Sequence, residues 1–265
     1  MVQKSRIRVG AVSFLNTKPL IHTLSTEGIQ LYFDVPSRLA ELLEAGLLDV
    51  AIIPIIEYFR ASDKGYKIIP NISIASHGAV QSIQLFSYLM VPDVRMVALD
   101  TSSRTSRALL EILLADKHDC FPDFISCSPS DDLESVQADA VLLIGDAALK
   151  NLGAREFALD LGADWHEWTR LPFVYACWVA RDDVELGNIP QLLMDAKESG
   201  IAQISEIVRI ESKKLGLPAK LCWDYLTRNI RFDLGNSELA GLKRFYELAV
   251  ESSLAPAGVP LRFVE

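Results

Sequence analysis

Hydrophobic and polar positions along this chain change period several times. Ile7-Arg8-Val9-Gly10-Ala11-Val12 alternates and then turns apolar, which predicts a first strand. The polar stretch 13–18 reads as a loop at its carboxyl end, and Pro19 suits the first turn of the helix that follows. Leu31-Tyr32-Phe33-Asp34-Val35 predicts a second strand. Ser37 is the expected N-cap of a helix over 38–45, where Leu39, Leu42 and Leu43 share one face and Gly46 marks the stop. Asp49-Val50-Ala51-Ile52-Ile53 is apolar almost throughout, as in a parallel strand covered on both faces. A β-α-β-α unit therefore opens the chain.

The middle repeats the style. Strands are expected at 94–99 and 138–144. Each is followed by a helix, one from Arg104 to about residue 115 and one opened by Gly145-Asp146 through Lys150. The apolar segment 172–180 carries Phe173, Tyr175 and Trp178. Beyond it, helices are expected near 189–199, 201–215, 218–228 and 237–250, with a short strand at 230–232. No repeat and no Ser/Gly linker divides the chain. Two α/β units without a linker predict a backbone that crosses between two lobes more than once, near 85–91 and 171–180. Residues 1–86 plus 174–265 would form one lobe and 87–173 the other, with a ligand cleft between them that can close.

The length of 265 residues, about 1.8 nominal domains, agrees with two interleaved lobes. Half the residues are apolar and 23% are charged, enough for a buried core and against disorder. The net charge of −9 argues against nucleic acid or an anionic membrane as partner. A small anion stays open, because its binding depends on local groups. Cys120, Cys127, Cys177 and Cys222 form no CxxC, and His22, His77, His118 and His166 form no metal motif. The basic start lacks a signal-peptide apolar region, and no apolar run is long enough to span a bilayer. A reducing, cytoplasmic location is expected. Oligomeric state is not legible here.

Open α/β sheets bind ligands at the carboxyl ends of their strands. Four polar loops fall there: 13–17, 76–82, 101–106 and 145–146. Thr101-Ser102-Ser103-Arg104-Thr105-Ser106 is the richest. Hydroxyls and unpaired N–H groups at a helix start attract anions, and Arg104 could add a bidentate carboxylate contact. Plain helix capping is the alternative. Asn16 can donate and accept at once beside the Thr17 hydroxyl, or it can serve its own turn. Asp146 reads as an N-cap or as an acid/base group. His77 reads as a loop residue, and Trp165 and Trp168 as hinge or core packing. These patterns support a cleft protein for a small carboxylate-bearing ligand and name no reaction.

At the same loops the chain resembles a known family. Val9-Gly10-Ala11-Val12-Ser13-Phe14-Leu15-Asn16-Thr17-Lys18-Pro19-Leu20 resembles the N-terminal signature of the chorismate dehydratases of menaquinone biosynthesis, which open the futalosine pathway. Asp49-Val50-Ala51-Ile52-Ile53-Pro54 with Glu57-Tyr58 is similar to the next string. Val97-Ala98-Leu99-Asp100 running into the 101–106 loop, Leu143-Ile144-Gly145-Asp146-Ala147-Ala148-Leu149, and Trp168-Thr169 with Leu171-Pro172-Phe173 follow in order. The resemblance runs from about Ile7 to Leu254. It implies a type II periplasmic-binding-protein-like fold. It also implies conversion of chorismate to 3-[(1-carboxyvinyl)oxy]benzoate and water, with no metal or redox cofactor. Asn16 matches the motif asparagine and Asp146 is a second catalytic candidate. Ser82 aligns with the serine of a Gly-x-Val-x-Ser string. Ser13, Thr17, Ser82, Thr101, Ser102, Ser103, Arg104, Thr105 and Gly145 are the expected substrate contacts. Two positions depart from the pattern: Ala79 stands where proline is frequent, and Arg170 where glycine is common. A non-catalytic carboxylate receptor is a rival, but a periplasmic receptor would carry a leader or lipobox. A later enzyme of the pathway is a second rival, expected to place a histidine in the cleft, where His77 is the one candidate.

Overall fold

A computed structural model describes residues 6–100, 102–127 and 133–265. The first strand, β1 (Ile7–Ala11), leads through a 3-10 turn at Leu15–Thr17 into the short helix α1 (Lys18–Ile21). Then come β2 (Ile29–Phe33), α2 (Pro36–Glu44), β3 (Val50–Pro54), α3 (Ile55–Arg60) and the long β4 (Lys67–Ser76). The central segment holds β5 (Ile83–Ser87), β6 (Met96–Asp100), α4 (Arg104–Ile112), β7 (Asp123–Cys127), β8 (Ala140–Ile144), α5 (Gly145–Lys150), β9 (Phe157–Asp160) and α6 (Leu161–Thr169). The chain closes with β10 (Phe173–Ala180), α7 (Ile189–Ala202), α8 (Ile204–Leu215), α9 (Ala219–Asp224), β11 (Ile230–Arg231) and α10 (Asn236–Glu251).

Two mixed sheets result. The larger runs β11-β4-β10-β3-β1-β2 and the smaller β7-β6-β8-β5-β9. Within the larger, β1 pairs in parallel with β2 and β3, while β10 enters antiparallel between β3 and β4. Within the smaller, β6 pairs in parallel with β7 and β8, while β5 runs antiparallel between β8 and β9. This is the two-lobed α/β arrangement expected from the sequence. All of β5 pairs in the smaller sheet, and all of β10 in the larger. We therefore take 77–82 and 161–172 as the passages between lobes, a division that falls ahead of 86/87 and just ahead of 173/174.

Packing explains the elements. β3 is buried at every position, and so are β5 and β8. One apolar cluster covers the larger sheet and reaches into the smaller lobe through residues such as Val97, Leu109 and Leu142. A second, small cluster of Phe86, Ala98, Val141 and Leu143 lies on the other face of the smaller sheet. Trp165 is fully buried at the second passage, donates to the Pro172 carbonyl and meets Phe173 edge-on. The four cysteines are buried, and none is in a disulfide. Among the described residues no helix is long and apolar enough to cross a membrane.

Several local readings shift. Ser37 is not the cap of α2: extended Val35 takes that place and Pro36 fills the first turn, where its missing N–H costs nothing. The expected helices over 104–115 and 218–228 each relax into a π turn, at Leu113–Lys117 and Tyr225–Asn229. Arg170 ends α6 in the left-handed region at φ 61°, a conformation that glycine adopts most easily, in keeping with the glycine that the family resemblance leads one to expect there.

Candidate functional site

The ends of β1, β3, β6 and β8 meet between the lobes and enclose a cavity of about 70 Å³. Its walls include Phe14, Asn16, Ser82, Tyr175 and Gly145, with Ser102, Ser103, Arg104, Thr105 and Ser106 from the start of α4. Asn16, Ser82, Ser102–Thr105 and Gly145 are thus brought together as the sequence suggests. Ser13 is exposed, and Thr17 is fully buried behind Asn16 with its hydroxyl donating to Asn16 Oδ1 at 3.2 Å. Thr101 lies outside the described residues. A wider depression of about 800 Å³ borders Arg6, Arg8, Glu27 and Asp183 at the opposite ends of β1 and β2. None of the expected site residues lines it.

The α4 start does not use its serines as caps. Ser103 precedes the helix without a side-chain cap bond. The Ser102 hydroxyl and N–H both donate to Asp100 Oδ1, at 2.6 and 2.8 Å. Burial raises the Asp100 carboxyl pKa, and those two bonds draw it back. Thr105 Oγ1 accepts the N–H of Ile56 at 3.2 Å, from the facing helix α3. The first-turn N–H groups of α4 have no carbonyl within the helix to accept them. They remain the anion-seeking donors of this wall.

Arg104 is engaged rather than free. One guanidinium nitrogen meets Glu57 at 2.7 Å and the other meets Glu41 at 2.6 Å. Glu41 and Glu57 sit on α2 and α3, so the pair clasps the lobes together. Asp146 is neither cap nor cavity wall: it stands at the second position of α5, and its Oδ1 accepts the Leu15 N–H at 2.9 Å. Burial lifts its carboxyl above the ordinary range, opposed by Leu15, Lys150 and Lys18. Gly145 has φ +59°, and a Cβ there would come 2.8 Å from the Phe14 ring. No side chain but hydrogen fits.

Three residues escaped the sequence reading. Asp160 caps α6 through the Ala163 N–H and also accepts from the N–H groups of Val80 and Gln81 and from Gln84 Nε2. It thereby pins the loop that presents Ser82. A serine or aspartate immediately before a helix is common, so only the capping half of that role was detectable. The Tyr175 hydroxyl lies 2.9 Å from Ser76 Oγ beside the same loop. The Tyr225 hydroxyl donates to Ser82 Oγ at 2.8 Å and lies near the Asn16 side chain. His77 is exposed and packs edge-on against His166, away from the cavity lining. Among the described residues no three His, Cys, Asp or Glu side chains gather as a metal site.

The family described as "Menaquinone biosynthesis" matches residues 7–251. The chain belongs to this family. It is 32% identical to the chorismate dehydratase of Thermus thermophilus over 95% of this chain and 98% of that protein. A crystal structure of an Archaeoglobus fulgidus protein superimposes with a TM-score of 0.75 at 18% identity, over 96% of this chain and 100% of the other. The periplasmic aliphatic sulphonate binding protein of Escherichia coli gives 0.65 at 17% identity, over 98% and 94%. These two likenesses concern the fold, which is periplasmic-binding-protein-like. The family membership covers both sheets and every loop of the cleft described above.

Proposed function

We propose that this chain removes water from chorismate to give 3-[(1-carboxyvinyl)oxy]benzoate. The observation that carries the reading is the placing of Asn16 and Ser82 on one small interlobe cavity, opposite the hydroxyl-rich start of α4. The activity named for the Thermus relative supports this reading, since the two are 32% identical over 95% of this chain.

The chemistry needs little machinery. Chorismate carries two carboxylates, and the α4 start offers first-turn N–H groups and the hydroxyls of Ser103 and Ser106 to one of them. A carboxylate held there is partly neutralised, which eases loss of the ring proton vinylogous to it. The C–H pair of electrons becomes a ring double bond, the C–OH bond breaks, and hydroxide leaves with a proton as water. Aromatisation makes the step favourable. An amide is a poor base, so Asn16 orients the ring, and the enolpyruvyl carboxylate of the substrate itself takes the proton. Thr17 acts behind Asn16, and Arg104 and Asp146 hold the lobes closed.

The cavity of about 70 Å³ falls below the usual range of ligand pockets, roughly 300–1,000 Å³. Substrate therefore enters an opened form, with the lobes moving about 77–82 and 161–172. A cytoplasmic location goes with this reading, supported by four buried cysteines that remain thiols.

The test is direct. Chelator-treated protein is mixed with chorismate, and the product is followed by mass and ultraviolet absorbance. Loss of one water with an aromatic spectrum is expected. Binding without turnover would make the chain a carboxylate carrier, and neither binding nor turnover would remove chorismate from the reading.

A further inference from the structure

Tyr225 opens the π turn that follows α9, and its ring is buried to 1% exposure. The segment around it is stitched to the first passage. Asn229 Nδ2 donates to the Ala79 carbonyl at 2.8 Å, and β11 pairs with Ala75 and Ser76. These contacts hold the phenol between Asn16 and Ser82, two residues that the sequence separates widely.

The direction of the hydrogen bonds matters. The Tyr225 hydroxyl has one proton, and it goes to Ser82 Oγ at 2.8 Å. The phenol oxygen keeps its lone pairs beside the Asn16 side chain, whose own oxygen accepts from Thr17 Oγ1. Ser82 Oγ, already an acceptor, keeps its own proton for another partner. Among the described residues no group accepts that proton, and Ser82 lines the cavity. Burial pushes the phenol pKa well up, so Tyr225 stays a neutral donor at any working pH.

We propose that Tyr225 is a positioning residue that orients Ser82 to donate a hydrogen bond into the cleft, to the hydroxyl oxygen that departs from the substrate. The chain runs from the Asn16 amide to the Tyr225 oxygen, from the Tyr225 proton to Ser82, and from the Ser82 proton to the leaving group. Each bond polarises the next. The inference rests on the dehydratase reading and adds a named source of leaving-group stabilisation to it.

Tyr225→Phe removes one oxygen and keeps the packed ring. Its kcat should fall about tenfold, the cost of one productive hydrogen bond, with KM changed much less. Ser82→Ala should fall at least as far, and the double variant no further than Ser82→Ala alone. A merely structural tyrosine would instead give multiplying effects, or a loss in KM. An unchanged kcat in Tyr225→Phe would overturn the inference while leaving dehydration by the parent intact. A second readout needs no turnover. The Asn16 side-chain amide signal in nuclear magnetic resonance, assigned by its loss in Asn16→Ala, should exchange faster with water in Tyr225→Phe. If the parent fails to dehydrate chorismate, the function falls, and an unaltered amide signal would independently reject the Asn16–Tyr225 bond.

Discussion

Leu15 donates its backbone N–H to Asp146 Oδ1 at 2.9 Å, and the two residues stand behind strands of different sheets. A bond to an ionised acceptor is worth about 1.5–3 kcal/mol, so this one favours the closed cleft. Asp146→Ala should raise KM by roughly tenfold with a smaller change in kcat. Asp146→Asn keeps an acceptor and should behave nearly as the parent in KM. Burial also raises the Asp146 pKa above its ordinary 3.8. The native chain then binds this proton more readily than the unfolded chain, and stability falls as pH rises through the folded-state pKa. Asn at this position lacks that loss. Urea midpoints should diverge in favour of Asp146→Asn as the pH rises above the ordinary carboxylate range. A difference that ignores pH would contradict a buried charge.

Arg104 spans the lobes to Glu41 and Glu57. Such partly exposed pairs give about 0–1 kcal/mol each. Arg104→Gln should raise KM by a few-fold and leave kcat near its parent value. In the parent, KM should climb with added salt as the pairs are screened, and in the variant it should respond less. Steady-state kinetics at low and high ionic strength decide the matter.

Asn16 touches the cavity and is half-buried. Asn16→Ala should lower kcat by at least about a hundredfold, while the thermal midpoint moves by only a few degrees. Full turnover in this variant would remove Asn16 from the chemistry.

Gly145→Ala meets two obstacles, the positive φ and the Phe14 ring 2.8 Å from the new Cβ. Stability should drop by about 1–3 kcal/mol, with lost activity. Adding Phe14→Ala relieves the clash but not the backbone strain, so the double variant should recover stability only in part. Denaturant curves of the three proteins provide the comparison.

Arg170 occupies a left-handed helix end at φ 61°. Arg170→Gly should stabilise the protein by about 0.5–1 kcal/mol, since a left-handed L-residue costs roughly 1–2 kcal/mol and glycine loses part of that gain in the unfolded chain. Calorimetry would show a raised midpoint. A lowered one would mean that the Arg170 side chain contributes contacts of its own.

Continuous apolar runs made β3 and β8 readable, because strands buried on both faces admit little else. The polar loops behind them followed from the rule that strand ends carry the ligand. β4 was hidden by Pro70 and by Asn71 at φ 63°, which break its alternation. β5 looked like a crossing because its membership is decided by β8 and β9, far along the chain. The same distance hid the site's wiring. Nothing near Arg104 announces Glu41 and Glu57, and Tyr225 reaches Ser82 across 143 positions. Residue types were visible locally; which hydroxyl faces the cavity and which is spent on Asp100 depended on tertiary placement.

The insertion of β10 between β3 and β4 sets an order on synthesis. β5 to β9 lie within one continuous stretch, 83–160, so the smaller sheet can assemble as soon as that stretch has emerged. β3 and β4 must wait, unjoined, until Ala180 is made. During that interval both carry a long unpaired edge of the kind that chaperones cover. The late-made strand that completes the cleft is thus also the one whose delay exposes the nascent chain to mispairing.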